Sequence, residues 1–176
     1  STIPVTTPSY KIKSRFKILD YNLIKWGAPN THLSNHDSKD FDKLEGFFDF
    51  ILLDAPCSGE GLFRKDKEAI GHWSPDHVEF CALRQQRILK NIVPLLSPGG
   101  TLIYSTCTYN QKENDANSLF LKNEYGLTHL PLELSDDWNI VPRKAGYQFY
   151  PHLAKGEGFY ISCFKKEFGK ANSFKS

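Results

Sequence analysis

Apolar residues recur along this chain in two rhythms. Ile12, Phe16, Leu19, Leu23 and Trp26 return at steps of four and three, which predicts one face of an amphipathic helix. Lys11, Lys13, Arg15 and Lys17 surround that face, and Gly27 is its stop. Phe47–Leu53 is instead a nearly unbroken apolar run that ends abruptly at Asp54, with the length of a buried parallel strand. Between the two, 31–34 predicts a short strand ending at His36-Asp37, and 38–46 is polar. Ser74-Pro75-Asp76 opens a helix with a capping Ser, a Pro at the first position and an acid in the first turn. Its inward residues are Val78, Cys81, Ala82, Ile88, Leu89 and Ile92, and it ends near Leu96. Pro98-Gly99-Gly100 is a break, and Thr101–Ser105 a strand. Asn110 and Glu113 have the spacing of a capping box for a helix to about Glu124, with Gly126 just beyond. Leu127–Leu132 and Gly158–Lys166 read as strands, and 135–155 as aromatic and irregular. Residues 1–11 read as an irregular remnant and 167–176 as a disordered tail.

This order predicts an α/β doubly wound sheet. Such sheets place ligands at the carboxyl ends of their strands. Two segments fall at those ends: Asp54–Gly59 and Ser105–Thr108.

Composition narrows the function classes. The 176 residues suit one domain, and 22 Lys+Arg against 20 Asp+Glu exclude a histone-like arm or an acidic tail while leaving room for a local basic patch. No apolar run approaches the roughly 20 residues that span a bilayer, and no secretory leader is recognisable. The four cysteines, Cys57, Cys81, Cys107 and Cys163, contain no C-x-x-C pair. That argues against a structural metal, and for a reducing, cytoplasmic setting. Met is absent, which fits either a removed initiator or a piece of a longer protein.

Taken singly, Asp54-Ala55-Pro56-Cys57-Ser58-Gly59 is a turn with a buried thiol, and Ser105-Thr106-Cys107-Thr108 a small-residue loop. Together, two thiols at two strand ends of one sheet match one chemistry. Cytosine carbon 5 is a poor nucleophile until a thiolate adds to carbon 6. It then attacks a sulfonium methyl group, and a base must remove the carbon-5 proton before the thiol leaves. The target base must also leave its stack. The residues alone leave Cys57 and Cys107 as rivals for the nucleophile.

D-A-P-C-S-G-E-G-L-F-R-K-D at 54–66 and Y-S-T-C-T-Y-N at 104–110 resemble the Sun/Fmu and nucleolar-protein family of RNA cytosine-5 methyltransferases, nearest its bacterial ribosomal RNA members. The resemblance extends through H-W-S-P at 72–75, L-S-P-G-G-T-L at 96–102, Tyr150-Pro151-His152 and the G-E-G-F-Y strand. It implies a Rossmann-like catalytic domain over 12–166, with S-adenosylmethionine as cofactor and RNA, ribosomal or transfer, as partner. It implies Cys107 as nucleophile and Cys57 in product release. It places Asp54 near both the methionine end of the cofactor and the cytosine, as a third catalytic residue, with Pro56 as a cofactor contact and Asp37 near the adenine. Arg64 and Lys65, with Lys67, are candidate phosphate contacts, against the plain reading of a solvated basic loop. Tyr147, Phe149 and Tyr150 are candidates for stacking on bases or for core. His72 and Trp73 pack or cap the following helix, and Cys81 and Cys163 are core thiols.

The chain departs from the family at one place. The first strand and its Pro-Gly-Gly-Lys loop are not in this sequence, and Tyr10 stands where the family has a ribose-binding acid. The fold expected is therefore a partial methyltransferase fold. A relative that binds RNA without turnover is one alternative. A thiol hydrolase is another, for which His36 and His72 are the histidines nearest the cysteine loops in sequence.

Overall fold

The computed structural model describes residues 13–170 and residue 172, with side chains from residue 16 onward. The predicted remnant at 1–11, Ile12, and tail residues 171 and 173–176 lie outside them.

Helix α1 (Lys13–Trp26) ends where Gly27 takes a left-handed φ of 73°. Phe16, Leu19 and Leu23 are half-buried, as their spacing predicts. Trp26 is not part of that face: it is 82% exposed, because the helix stops there and the chain turns away before anything covers the indole. The strand expected at 31–34 is only an isolated bridge at Ser34. There Ser34 bonds His36, and Asp37 accepts the Lys39 N–H at 3.2 Å, so local side-chain bonds turn the backbone away from an extended path.

Strand β1 (Phe48–Asp54) leads through a loop and the short helix α2 (Lys67–His72), which the pattern did not predict, into α3 (Pro75–Ile92). Strand β2 (Leu96–Thr106) then pairs parallel with β1. Pro98-Gly99-Gly100 does not end this strand but bulges it: the register jumps from Phe48↔Leu96 to Phe50↔Thr101. A Cβ on Gly100 would lie 2.9 Å from Leu96 Cδ1 and from the Ser97 carbonyl, so the bulge needs glycine. Helix α4 (Asp115–Tyr125) follows, then β3 (Thr128–His129), β4 (Val141–Arg143), β5 (Gly146–Phe149) and β6 (Phe159–Lys165). The strand expected at 127–132 shrinks to β3. The stretch expected to be irregular holds the β4–β5 hairpin.

The sheet runs β1-β2-β6-β5-β4, with β3 added beside β6. Among the described residues, only β1 and β2 pair parallel and every other pairing is antiparallel. The α/β expectation therefore holds, with an antiparallel half that the pattern did not reveal. Period two in β1 and β2 sends Leu53, Leu102 and Tyr104 to one face, where Ile88, Leu89 and Ile92 of α3 and Leu121 of α4 bury them. Phe50, Leu52 and Asp54 share the opposite face, on which Phe50 and Leu52 are exposed. Arg143 of the hairpin clasps Asp115 at the start of α4, N–O 2.6 Å. Among the described residues, no helix is long and apolar enough to cross a membrane.

Candidate active site

Parallel pairing places Asp54 opposite Ser105, so β1 and β2 release their chains side by side at the same edge of the sheet. The Ala55 N–H extends the pairing by one bond to the Ser105 carbonyl, 2.8 Å. Ser105 Oγ donates to Asp54 Oδ1 at 3.2 Å, and the remainder of that carboxylate is exposed. Three residues beyond Asp54 and two beyond Ser105, the sulfurs of Cys57 and Cys107 lie 3.1 Å apart. The Cys107 N–H also points at Cys57 Sγ, 3.3 Å. Both thiols are half-buried and reachable, and all four cysteines are free.

The contact polarises the pair. Sharing one hydrogen bond, two thiols cannot both ionise easily. Cys107 is held below the ordinary thiol range by the hydrogen bond from Cys57, against burial and the charges of Asp54 and Glu113. Cys57 is pushed up by that same bond, and further by burial. The arrangement favours ionisation of Cys107 over Cys57.

The backbone around the pair is rigid. Gly59 takes a left-handed φ of 76°, and Gly61 donates its N–H to the Cys107 carbonyl at 2.9 Å. A Cβ on Gly61 would sit 2.8 Å from that carbonyl oxygen, so the loops approach this closely only with glycine. Glu60 gathers the Tyr109 N–H, the Asn110 side chain and, at 2.9 Å, the Trp73 indole N–H. Trp73 is thus tied to the loop that carries Cys57, and the cap of the following helix is Ser74.

The capping box expected of Asn110 and Glu113 does not form. Helix α4 begins at Asp115, its N-cap Asn114 makes no side-chain cap bond, and Asn110 Oδ1 accepts the Lys112 N–H. Glu113 instead turns inward, where it is fully buried and accepts bonds from Ser58 N–H at 3.0 Å, the Ser58 hydroxyl and Gln85 Nε2 at 2.8 Å. Three donors from Ser58 and Gln85 outcompete the cap. Burial pushes the Glu113 carboxyl up against these bonds. Asn114 and Gln148 hold the Thr108 carbonyl from below. Sequence reasoning missed Ser58, Gln85, Thr108 and Asn114. Gln85 did leave a signal, a polar residue at inward spacing on α3.

Asp37 lies away from the thiols, capping a 3-10 segment at Ser38–Leu44. Burial opposes its charge, but the Lys39 N–H and the Arg87 guanidinium outweigh it and hold the carboxyl below the usual range. Arg64 and Lys65 are exposed. Arg64 bonds the Gly156 carbonyl and Glu157 and, with His152 and Lys155, lines an open groove of about 460 Å³. Tyr147 is buried and accepts the Leu132 N–H; Phe149 packs edge-on to Phe159. Burial takes Tyr147 away from any base, while Phe149 is only half-buried. Tyr150 stacks on Tyr109, centroids 5.4 Å apart. Burial raises the Cys81 thiol to about 11 and also raises Cys163. His36 bonds Ser34, and among the described residues no histidine is hydrogen-bonded to either Cys57 or Cys107, which leaves a hydrolase without its base.

Known proteins resemble this chain in sequence and fold. Ribosomal RNA small subunit methyltransferase F of Salmonella arizonae is 42% identical over 158 residues, covering 87% of this chain and 33% of the relative. The Escherichia coli O139:H28 protein of the same description is 40% identical over the same length. The chain thus spans about a third of the length of the curated relatives it matches. Among solved structures, NSun6 from Pyrococcus horikoshii with SFG aligns at TM-score 0.72 and 25% identity, over 90% of this chain and 40% of that one. A methyltransferase homolog protein from the same organism aligns at 0.72 and 29% identity, over 88% and 50%. The family model described as 16S rRNA methyltransferase RsmB/F matches residues 8–165, a span that takes in both cysteine loops, the strands that end in them and the antiparallel extension. By that match the chain belongs to the RsmB/F family of RNA cytosine-5 methyltransferases.

Proposed function

We propose that residues 12–166 form the catalytic unit of an S-adenosylmethionine-dependent methyltransferase acting on carbon 5 of cytosine in RNA, with ribosomal RNA as substrate. The carrying observation is the thiol pair, 3.1 Å apart at the carboxyl ends of two parallel strands beside an exposed carboxylate. The naming of the curated relatives as ribosomal RNA methyltransferases supports the substrate class. The four free thiols support action in a reducing cytoplasm.

The described residues fit one side of the cofactor. Asp54 offers an exposed carboxylate at the sheet edge, and Pro56 stiffens the turn beside it. Asp37 is ionised but already engaged by Arg87, which makes it the weaker contact. S-adenosylmethionine supplies, when bound, an electrophilic methyl group.

This chain's own residues do the rest. The Cys107 thiolate, kept ionised by the Cys57 S–H, adds to carbon 6 and sends the ring electron pair toward carbon 5. Cys107 is then a neutral thioether. The charge and hydrogen bond that raised Cys57 are gone, so Cys57 ionises more readily, giving its proton to solvent. Its thiolate is then the base beside the adduct, and it takes the carbon-5 proton after methylation. The electrons of that C–H bond restore the ring and expel Cys107 as a thiolate. Exposed Arg64 and Lys65, with Lys155 along the groove, supply positive charge for RNA phosphates.

RNA carrying 5-fluorocytosine tests this reading in the full-length gene product with S-adenosylmethionine present. Fluorine cannot leave as a proton, so the enzyme is trapped as a covalent adduct, visible as a shifted band on a denaturing gel. Cys107→Ala abolishes the adduct, and Cys57→Ala accumulates adduct with ordinary RNA. A trap that survives Cys107→Ala and vanishes in Cys57→Ala reverses the two roles. No adduct in folded wild type refutes the proposal.

A further inference from the structure

The loops that carry the thiols are joined by more than sulfur. Ser58 follows Cys57, and Thr108 follows Cys107; their hydroxyls lie 3.0 Å apart. Ser58 also gives both its N–H and its hydroxyl to Glu113. On the other side of Cys57, the Pro56 carbonyl accepts Gln85 Nε2 at 2.9 Å, and the same amide donates to Glu113. Both neighbours of Cys57 are therefore tied to Glu113, one directly and one through Gln85. Gln85 is fixed in turn by the Tyr104 hydroxyl at 3.0 Å and by Asn117 at 2.7 Å.

A carboxylate with no exposed surface is costly, and a cation usually accompanies it. Among the described residues no Lys or Arg pairs with Glu113. Its partners are all neutral donors, and all belong to the loop that carries Cys57 or to the helix that braces it. The stabilising cap that its position invites is forgone. A group kept at such cost, with its bonds converging on one loop, serves that loop.

We propose that Glu113 is the positioning residue of the thiol pair: it fixes the Cys57 loop against the Cys107 loop so that the sulfur–sulfur contact is made. The proposal deepens the reading of the thiols as reacting groups and rests on it. Geometry and charge predict opposite effects. The negative charge of Glu113, like that of Asp54, works against ionisation of Cys107. Removing charge alone speeds Cys107; losing the Cys57 hydrogen bond slows it.

Glutamine separates the two. In Glu113→Gln the amide oxygen accepts the Ser58 N–H and the Gln85 amide, while the amide nitrogen donates to Ser58 Oγ. The Ser58 proton then turns to Thr108. The contacts with Ser58 and Gln85 are kept, one of them reversed in direction, and the charge goes.

The test is iodoacetamide alkylation of each cysteine across pH, read by peptide mass spectrometry, with Cys81 and Cys163 as internal controls and thermal melting as the check on folding. It needs neither RNA nor cofactor, so it stays readable if the methyltransferase reading fails. Glu113→Ala slows Cys107 alkylation at pH 7 by about tenfold, equivalent to about one pH unit in its profile. Glu113→Gln stays close to wild type or slightly faster, and Ser58→Ala falls between. A folded Glu113→Ala whose Cys107 profile is unchanged or quicker overturns the proposal, as does a Glu113→Gln as slow as the alanine variant. If Glu113→Ala does not fold, Ser58→Ala decides: slowing supports the proposal, and an unchanged profile overturns it.

Discussion

The contact between the sulfurs lowers the titration of Cys107 and raises that of Cys57, so the two thiols respond oppositely to loss of the other. In Cys57→Ala, Cys107 loses its donor and its titration moves up, so its alkylation at pH 7 slows. In Cys107→Ala, Cys57 is relieved of a neighbouring charge; its titration moves down and its alkylation quickens. Rates followed from pH 6 to 10 check both signs, and equal shifts in one direction would contradict the polarised pair. Sequence spacing placed both thiols at strand ends but could not rank them, because ionisation is set by a contact across fifty residues of chain. Glu113 was misread for a related reason. Its local spacing suits a cap, and its three donors lie 28 and 55 residues away.

At the scale of elements, α3 is the part most completely written in the chain. Ser74 Oγ accepts the His77 N–H at 3.1 Å, and Pro75 occupies the first position, as the three-residue signature predicts. Ser74→Ala removes that cap bond and costs about 1 kcal/mol, seen as a fall of about 2–4 °C in melting temperature. Thiol alkylation stays unchanged, since the cap touches neither cysteine loop. The strands leading to Asp54 and Thr106 were legible because their apolar runs are short, dense and end in polar residues. The β4–β5 hairpin was not. Val141-Pro142-Arg143 and Gly146-Tyr147-Gln148-Phe149 mix Pro, Gly and charge into the pattern, and pairing with β6 overrides these local preferences. Helix α2 is a single short turn capped by Asp66, too brief for any periodicity to show.

At the scale of the whole molecule, Asp37 and Glu113 are shifted in opposite senses. Asp37 is held below its ordinary range of about 4, so its contribution is present above that pH and is lost as pH falls through the folded value. Glu113 is raised above its ordinary value of about 4.3, so stability declines as pH rises from there through the folded value. Melting temperatures from pH 3 to 8 should show Asp37→Asn flattening the acid side and Glu113→Gln flattening the decline above it. The parallel pairing of β1 with β2 has one more consequence, for the order of events in folding. Parallel strands meet only after the chain between them has formed its crossover, here through α2 and α3. Such long-range pairing is slow to close. An unfolded or half-folded chain holds two ordinary thiols, and the reactive one exists only once the strands have registered. The chemistry of Cys107 thus reports on this pairing: its altered alkylation appears only once β1 and β2 have registered.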